Sequence, residues 1–104
     1  MPPRMSARKL PNQTPTTASS KVAVCNKLGL HARPASLFVK TANRFQSDVF
    51  VEKDGEVING KSIMGLLMLA AGPGSELTLR AEGADASQAV SELETLVLRK
   101  FDED

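Results

Sequence analysis

One histidine stands in this chain of 104 residues, His31, and its neighbours give it chemical interest. Arg33 and Pro34 follow it in GLHARPAS, residues 29–36, where a polar loop gives way to a helical pattern. With His31 as the N-cap, Ala32, Arg33 and Pro34 fill the first turn. Proline is tolerated there because its missing N–H would have found no intrahelical acceptor. The N–H groups of Ala32 and Arg33 then point out of the helix end, where the macrodipole is positive. Two backbone donors, a dipole and a guanidinium suit an anion, above all phosphate. A neutral imidazole in such a site is a nucleophile for a phosphoryl group. The residues therefore predict phosphohistidine chemistry. The plain alternative is capping, since a lone histidine at a helix start is most often a cap or a surface residue.

The elements that must hold this site follow from periodicity and turn residues. Residues 21–26, KVAVCN, alternate and favour β, so they are the expected first strand, with Cys25 a packing residue and not a catalytic thiol. Residues 27–30 form the loop that presents His31. The helix over 32–44 puts Ala35, Phe38, Ala42 and Phe45 on one face. A second strand spans 48–53 with Val49 and Val51 on one side. Asp54-Gly55 is a strong two-residue hairpin turn, so 56–59 returns antiparallel. Ser62 is a good N-cap for a helix over 63–71, which Gly72-Pro73-Gly74 stops. A fourth strand over 76–81 turns Leu77, Leu79 and Ala81 inward. Asp85-Ala86-Ser87-Gln88 has the form of a capping box. The last helix has the stripe Ala86, Ala89, Val90, Leu93, Leu96 and Val97, and the acids Asp102, Glu103 and Asp104 lie past its end, solvated.

The order strand, helix, two strands, helix, strand, helix predicts an α+β domain. Strands that alternate need cover on one face only, so the architecture is an open-faced sandwich of three helices over an antiparallel four-stranded sheet. The second helix is unusually apolar, IMGLLML over 63–69. Helical spacing directs Ile63, Leu66, Leu67 and Ala70 inward and leaves Met64 and Met68 outward. So apolar a run cannot all face a small core, and Ile63, Met64, Leu67 and Met68 are the candidate docking residues for partners.

Composition bounds the function. The length allows one domain with one modest core. A single cysteine excludes an internal disulfide and suits a reducing cytoplasm. No apolar run approaches a membrane span. Residues 1–20 are rich in Pro, Ser and Thr and read as a disordered arm, with the domain over 21–104. No continuous apolar stretch follows the arm's basic residues, so it is not a secretory signal. The arm holds Arg4, Arg8 and Lys9 of the 13 basic residues and no acid, which leaves 10 basic against 12 acidic groups in the domain. With no Trp or Tyr for stacking, a slightly acidic domain is a poor nucleic-acid binder. There is no Walker sequence, no metal-ligand cluster and no second base, so the chain is expected to turn over nothing alone and to use no cofactor or metal.

Residues 27–38, KLGLHARPASLF, resemble the active-site signature of HPr, the histidine-containing phosphocarrier of the bacterial phosphoenolpyruvate:sugar phosphotransferase system. GKSIMG, residues 60–65, resembles that family's regulatory serine region at the usual separation, and the similarity runs from residue 21 to about 101. The resemblance implies the βαββαβα sandwich with strand order 1-4-2-3. It implies that His31 is phosphorylated on Nδ1, that Arg33 holds the group and steers its transfer, and that a dedicated kinase phosphorylates Ser62. A phosphoramidate on imidazole stays labile because its leaving group is a weak base once protonated, which suits a carrier. The implied partners are enzyme I, enzyme IIA domains, HPr kinase/phosphorylase and a transcriptional regulator. A cytoplasmic monomer without membrane or nucleic-acid contact is expected. LLML, residues 66–69, and the ending FDED also look like the nitrogen-branch paralogue of HPr, which regulates and transports no sugar. A regulatory protein whose phosphorylation controls partner binding is thus the second reading.

Overall fold

The computed structural model of the protein describes residues 16–103. Seven elements follow in chain order: β1 (Thr17–Ala23), α1 (Ala32–Ala42), β2 (Asp48–Lys53), β3 (Glu56–Asn59), α2 (Ile63–Met68), β4 (Glu76–Glu82) and α3 (Ala86–Leu98). A short 3₁₀ turn, Lys100–Asp102, closes the chain. The strands form one antiparallel sheet in the order β1-β4-β2-β3. This is the expected open-faced sandwich with strand order 1-4-2-3.

The sheet has two faces because side chains alternate along each strand. Register aligns Val22 with Leu77, Val49 with Ala81, and Val51 with both Leu79 and Ile58. Those residues face the helices, and Leu77, Leu79, Ala81 and Val51 are fully buried. On the opposite face Arg80 lies over the Phe50 ring at 4.7 Å. The helices supply Ala35, Phe38 and Ala42 from α1 and the whole expected stripe of α3. Asp54 and Gly55 both have positive φ, 52° and 86°, as a two-residue hairpin turn requires.

The structure corrects several expectations. The first strand begins at Thr17 and ends at Ala23, so Thr17 to Ser20 of the expected arm belong to the sheet; Thr16 leads into it, and residues 1–15 lie outside the described residues. Thr17 pairs with Glu82 and Ala18 with Ala81, so backbone pairing with β4 draws in residues whose side chains carry little strand signal. Helix α1 ends at Ala42 and α2 at Met68, each short of the expected end. The second of these stops before the glycines, through Ala70 at φ 51°, a left-handed residue past the cap. Asp85 is the N-cap of α3 by position but makes no side-chain cap bond. Its carboxylate instead accepts from the Gln46 and Ser47 N–H groups and the Ser47 hydroxyl, tying α3 to the loop before β2. Those donors, the Ser47 hydroxyl first, hold the Asp85 carboxyl below its ordinary value of 3.8. Cys25 is exposed and not packed inward; its thiol donates to the Val97 carbonyl at 3.4 Å.

Helix α2 is also rotated from expectation. Leu66 is buried and Met64 and Met68 face out, as expected, but Ile63, Leu67 and the following Ala70 are exposed, and Leu69 at the C-cap is buried in their place. The Gly65 side of α2 lies against β3: a Cβ added at Gly65 would sit 3.4 Å from the Ile58 Cβ, at ordinary contact distance. Leu66 and Leu69 flank that side, and Ile63 and Leu67 are left toward solvent.

Candidate functional site

The loop before α1 is shaped by one buried polar residue and one glycine. Asn26, fully buried, donates from Nδ2 to the Gly29 carbonyl at 2.8 Å and to Glu103 Oε1 at 3.0 Å. The Gly29 carbonyl also accepts from the His31 N–H at 3.0 Å. Gly29 has φ +72°, and a Cβ on it would come within 2.5 Å of the Ala71 carbonyl oxygen. Only glycine permits both the left-handed backbone and that approach, and Leu30 N–H then donates to the same oxygen at 2.8 Å. The loop is thereby clamped onto the segment that follows α2.

His31 is the N-cap of α1 in extended backbone, φ −91° and ψ −167°, and makes no side-chain cap bond. Its carbonyl accepts the first helical bond, from Ala35 N–H at 2.9 Å. Its ring is therefore not spent on capping. Ala32, Arg33 and Pro34 form the first turn, Pro34 buried and Arg33 exposed. The Ala32 and Arg33 N–H groups have no earlier carbonyl in the helix to meet, as the sequence implied. No acid stands in this turn to compete for them.

An acid arrives instead from the far end of the chain. Past α3 the backbone passes through three consecutive left-handed residues, Lys100, Phe101 and Asp102, with φ of 60°, 54° and 59°. Phe101 is buried, and the turn carries Glu103 back over the loop. Glu103 Oε2 lies 3.1 Å from His31 Nε2, with side-chain exposures of 14% and 37% respectively. The expectation of a solvated tail thus fails for Glu103, and Asp102 pairs with Arg99 at 3.0 Å; Asp104 lies outside the described residues. Sequence reasoning missed both Asn26 and Glu103. An acidic ending carries no mark of where a reversal of the chain will aim it.

Lys27, Leu28, Arg33, Asp102 and Glu103 line a cavity of about 290 Å³ beside the helix start. Two larger cavities, of about 510 and 570 Å³, lie over one end of the sheet and between α3 and the turn after α1; His31 lines none of the three. Among the described residues no group of three or more His, Cys, Asp or Glu is placed to hold a metal, and no helix is long and apolar enough to cross a membrane.

The other candidates lie on α2. Ser62 is its N-cap, and its hydroxyl accepts from Gly65 N–H at 3.0 Å. Met64 and Met68 are each 68% exposed, and Ile63 and Leu67 are exposed beside them. Leu28, on the loop that presents His31, is an apolar side chain 70% exposed. It went unnoticed in the sequence because a single leucine in a loop has no periodicity.

The comparisons with known proteins agree with this architecture. A family model described as the PTS HPr component phosphorylation site matches residues 18–98. The HPr-like protein Crh of Bacillus subtilis is 57% identical over 77 residues, which cover 74% of this chain and 91% of that protein. The phosphocarrier protein HPr of Treponema pallidum is 48% identical over 83 residues, covering 80% of this chain and 94% of that one. Among solved structures, HPr from Thermoanaerobacter tengcongensis superposes with a TM-score of 0.81 at 45% identity, covering 84% of this chain and 98% of the other. Fold, order of elements and sequence agree, and the chain belongs to the HPr family.

Proposed function

We propose that this chain is a cytoplasmic phosphocarrier in which His31 accepts a phosphoryl group from phospho-enzyme I and passes it to enzyme IIA domains. The observation that carries the reading is the state of His31: it opens α1 without spending its ring on the cap, beside two backbone donors and Arg33. Arg33 and the Ala32 and Arg33 N–H groups then hold the phosphoryl oxygens, where the helix dipole favours negative charge. The chain needs no catalytic apparatus of its own, because phosphoryl transfer is largely positioning and charge stabilisation, which the docked partner supplies. The exposed Ile63, Met64, Leu67 and Met68 are the docking surface in this reading, and their flexible side chains suit several partners in turn.

Ser62 is the regulatory site of the proposal. A phosphate on it sits at a helix start, which tolerates negative charge, so it acts by altering the docking surface and not by unfolding α2. The likeness to Crh, whose solved structure is described as a catabolite repression protein, favours a second reading in which phosphorylation controls the binding of a kinase or a transcriptional regulator. The carrier is read as a monomer, and light scattering tests this against the dimer in which Crh has been solved.

The deciding experiment incubates the purified chain with a bacterial enzyme I and labelled phosphoenolpyruvate, for wild type and His31→Ala. Acid-labile, base-stable label that is lost in the variant supports the carrier. Wild type that takes up no label from several enzymes I overturns it and leaves the regulatory reading.

A further inference from the structure

We propose that Glu103 is a positioning residue for His31, fixing the imidazole as the Nε2–H tautomer so that Nδ1 carries the free lone pair. The inference rests on the phosphocarrier reading and names a residue that the reading does not require. A carboxylate at 3.1 Å from a ring nitrogen is an acceptor only, so the nitrogen facing it must hold the proton. In a neutral ring the other nitrogen is then bare, and here that nitrogen is Nδ1.

The carboxylate is itself held. Asn26 Nδ2 donates to Glu103 Oε1 and to the Gly29 carbonyl, two groups that can only accept, so the amide orientation is unambiguous. The same Gly29 carbonyl accepts from His31 N–H. One buried amide thereby fixes the carboxylate and the backbone of the histidine in a common frame. The turn that delivers Glu103 runs through three non-glycine residues in the left-handed region, a conformation that persists only where packing enforces it. Buried Phe101 is that packing. The chain therefore maintains an unfavourable turn whose product is a carboxylate on His31.

The consequence for transfer can be written atom by atom. The Nδ1 lone pair forms the new N–P bond as the donor's N–P bond breaks and returns its electron pair to the donor ring. The proton stays on Nε2, so the His31 ring becomes a phosphorylated imidazolium, and its positive charge develops against the Glu103 carboxylate. In onward transfer the His31 N–P bond breaks, the pair returns to Nδ1, and the ring is neutral again with its proton in place. Glu103 thus favours the charged ring, which is the form with the better leaving group. His31 is 37% exposed, so water weakens the effect.

The test compares wild type, Glu103→Ala and Glu103→Gln, with Glu92→Gln, on the outer surface of α3, as the control. Ring ¹⁵N shifts of His31, read by NMR at a pH where the ring is neutral, report the tautomer without any phosphoryl donor. Wild type and Glu92→Gln are expected to hold the proton on Nε2, and Glu103→Ala to mix the two tautomers. Rapid-mixing transfer from phospho-enzyme I is expected to slow on the order of tenfold in Glu103→Ala and Glu103→Gln, with KM for enzyme I unchanged, because the charge and not the docking surface is lost. Unchanged ring shifts in Glu103→Ala overturn the proposal even if transfer slows, since the residue would then be structural only. Altered shifts with wild-type transfer rates overturn it as well. Wild type that takes no label removes the carrier reading alone, and the ring shifts still decide whether Glu103 holds Nε2.

Discussion

Substituting Gly29 with alanine should damage the fold and the site together, by an amount the geometry supplies. The residue has φ +72°, and its missing Cβ would lie 2.5 Å from the Ala71 carbonyl oxygen and 2.8 Å from the Gly72 Cα. Both atoms are backbone, so no side chain can swing aside. An L-residue in the left-handed region costs about 1–2 kcal/mol. Relief of the clash requires the loop to lift, which loses the 2.8 Å bond from Leu30 N–H to Ala71, worth about 1 kcal/mol. Alanine recovers about 0.4–1 kcal/mol by stiffening the unfolded chain. The net destabilisation is roughly 2 kcal/mol, equivalent to about 8–16 °C in Tm for a domain of this size. Gly72→Ala is the internal control, because a Cβ there meets nothing within 4 Å and no left-handed φ is involved; it should leave Tm level or slightly raised. Thermal unfolding followed by circular dichroism measures both, and the phosphotransfer assay should show Gly29→Ala impaired, since the Gly29 carbonyl holds the His31 N–H. A Gly29→Ala protein melting within about 2 °C of wild type, or a Gly72→Ala protein falling as far, would refute the argument.

Other substitutions separate structural from functional roles. Ser62→Ala removes the acceptor for Gly65 N–H and should cost about 1 kcal/mol, seen as a Tm lower by about 4–8 °C, while transfer to His31 suffers far less than in His31→Ala. Met64→Asp, at a side chain 68% exposed, should shift stability by no more than about 0.5 kcal/mol yet raise KM for enzyme I; a large fall in Tm would show that Met64 packs inward. Asp85→Asn should lower Tm at neutral pH. The Asp85 carboxyl is held below 3.8, so its stabilisation is present above that pH and fades as pH falls through the folded value. The gap between variant and wild type should therefore narrow in acid, and a gap that does not narrow at all as pH falls would count against the Ser47 and Gln46 contacts as its source.

Much of the fold could be read along the chain because its signals are local. The Asp54-Gly55 turn, the stripe of α3, the alternation of Leu77, Leu79 and Ala81, and Ser62 as a cap are each decided by neighbours within a few residues, and each stands where expected. His31 at the start of α1 belongs with these, since proline in the first turn marks a helix start whatever the rest of the chain does. Which face of α2 turns inward was not local. Its apolar residues surround the helix, so periodicity could not choose among them, and packing of the helix against β3 did. Nor was the use of Asp85, which had the sequence form of a cap and was claimed by a loop 38 residues away.

The sequence by itself determined that a histidine with an arginine beside it opens a helix over an antiparallel sheet. The tertiary structure alone decided what meets that histidine. Asn26 and Glu103 lie 77 positions apart, and Glu103 and His31 lie 72 apart. They converge because α3 packs across the sheet and a left-handed turn pinned by Phe101 sends the chain back. Such contacts follow from how elements of fixed length cross one another, and no window along the chain contains both partners.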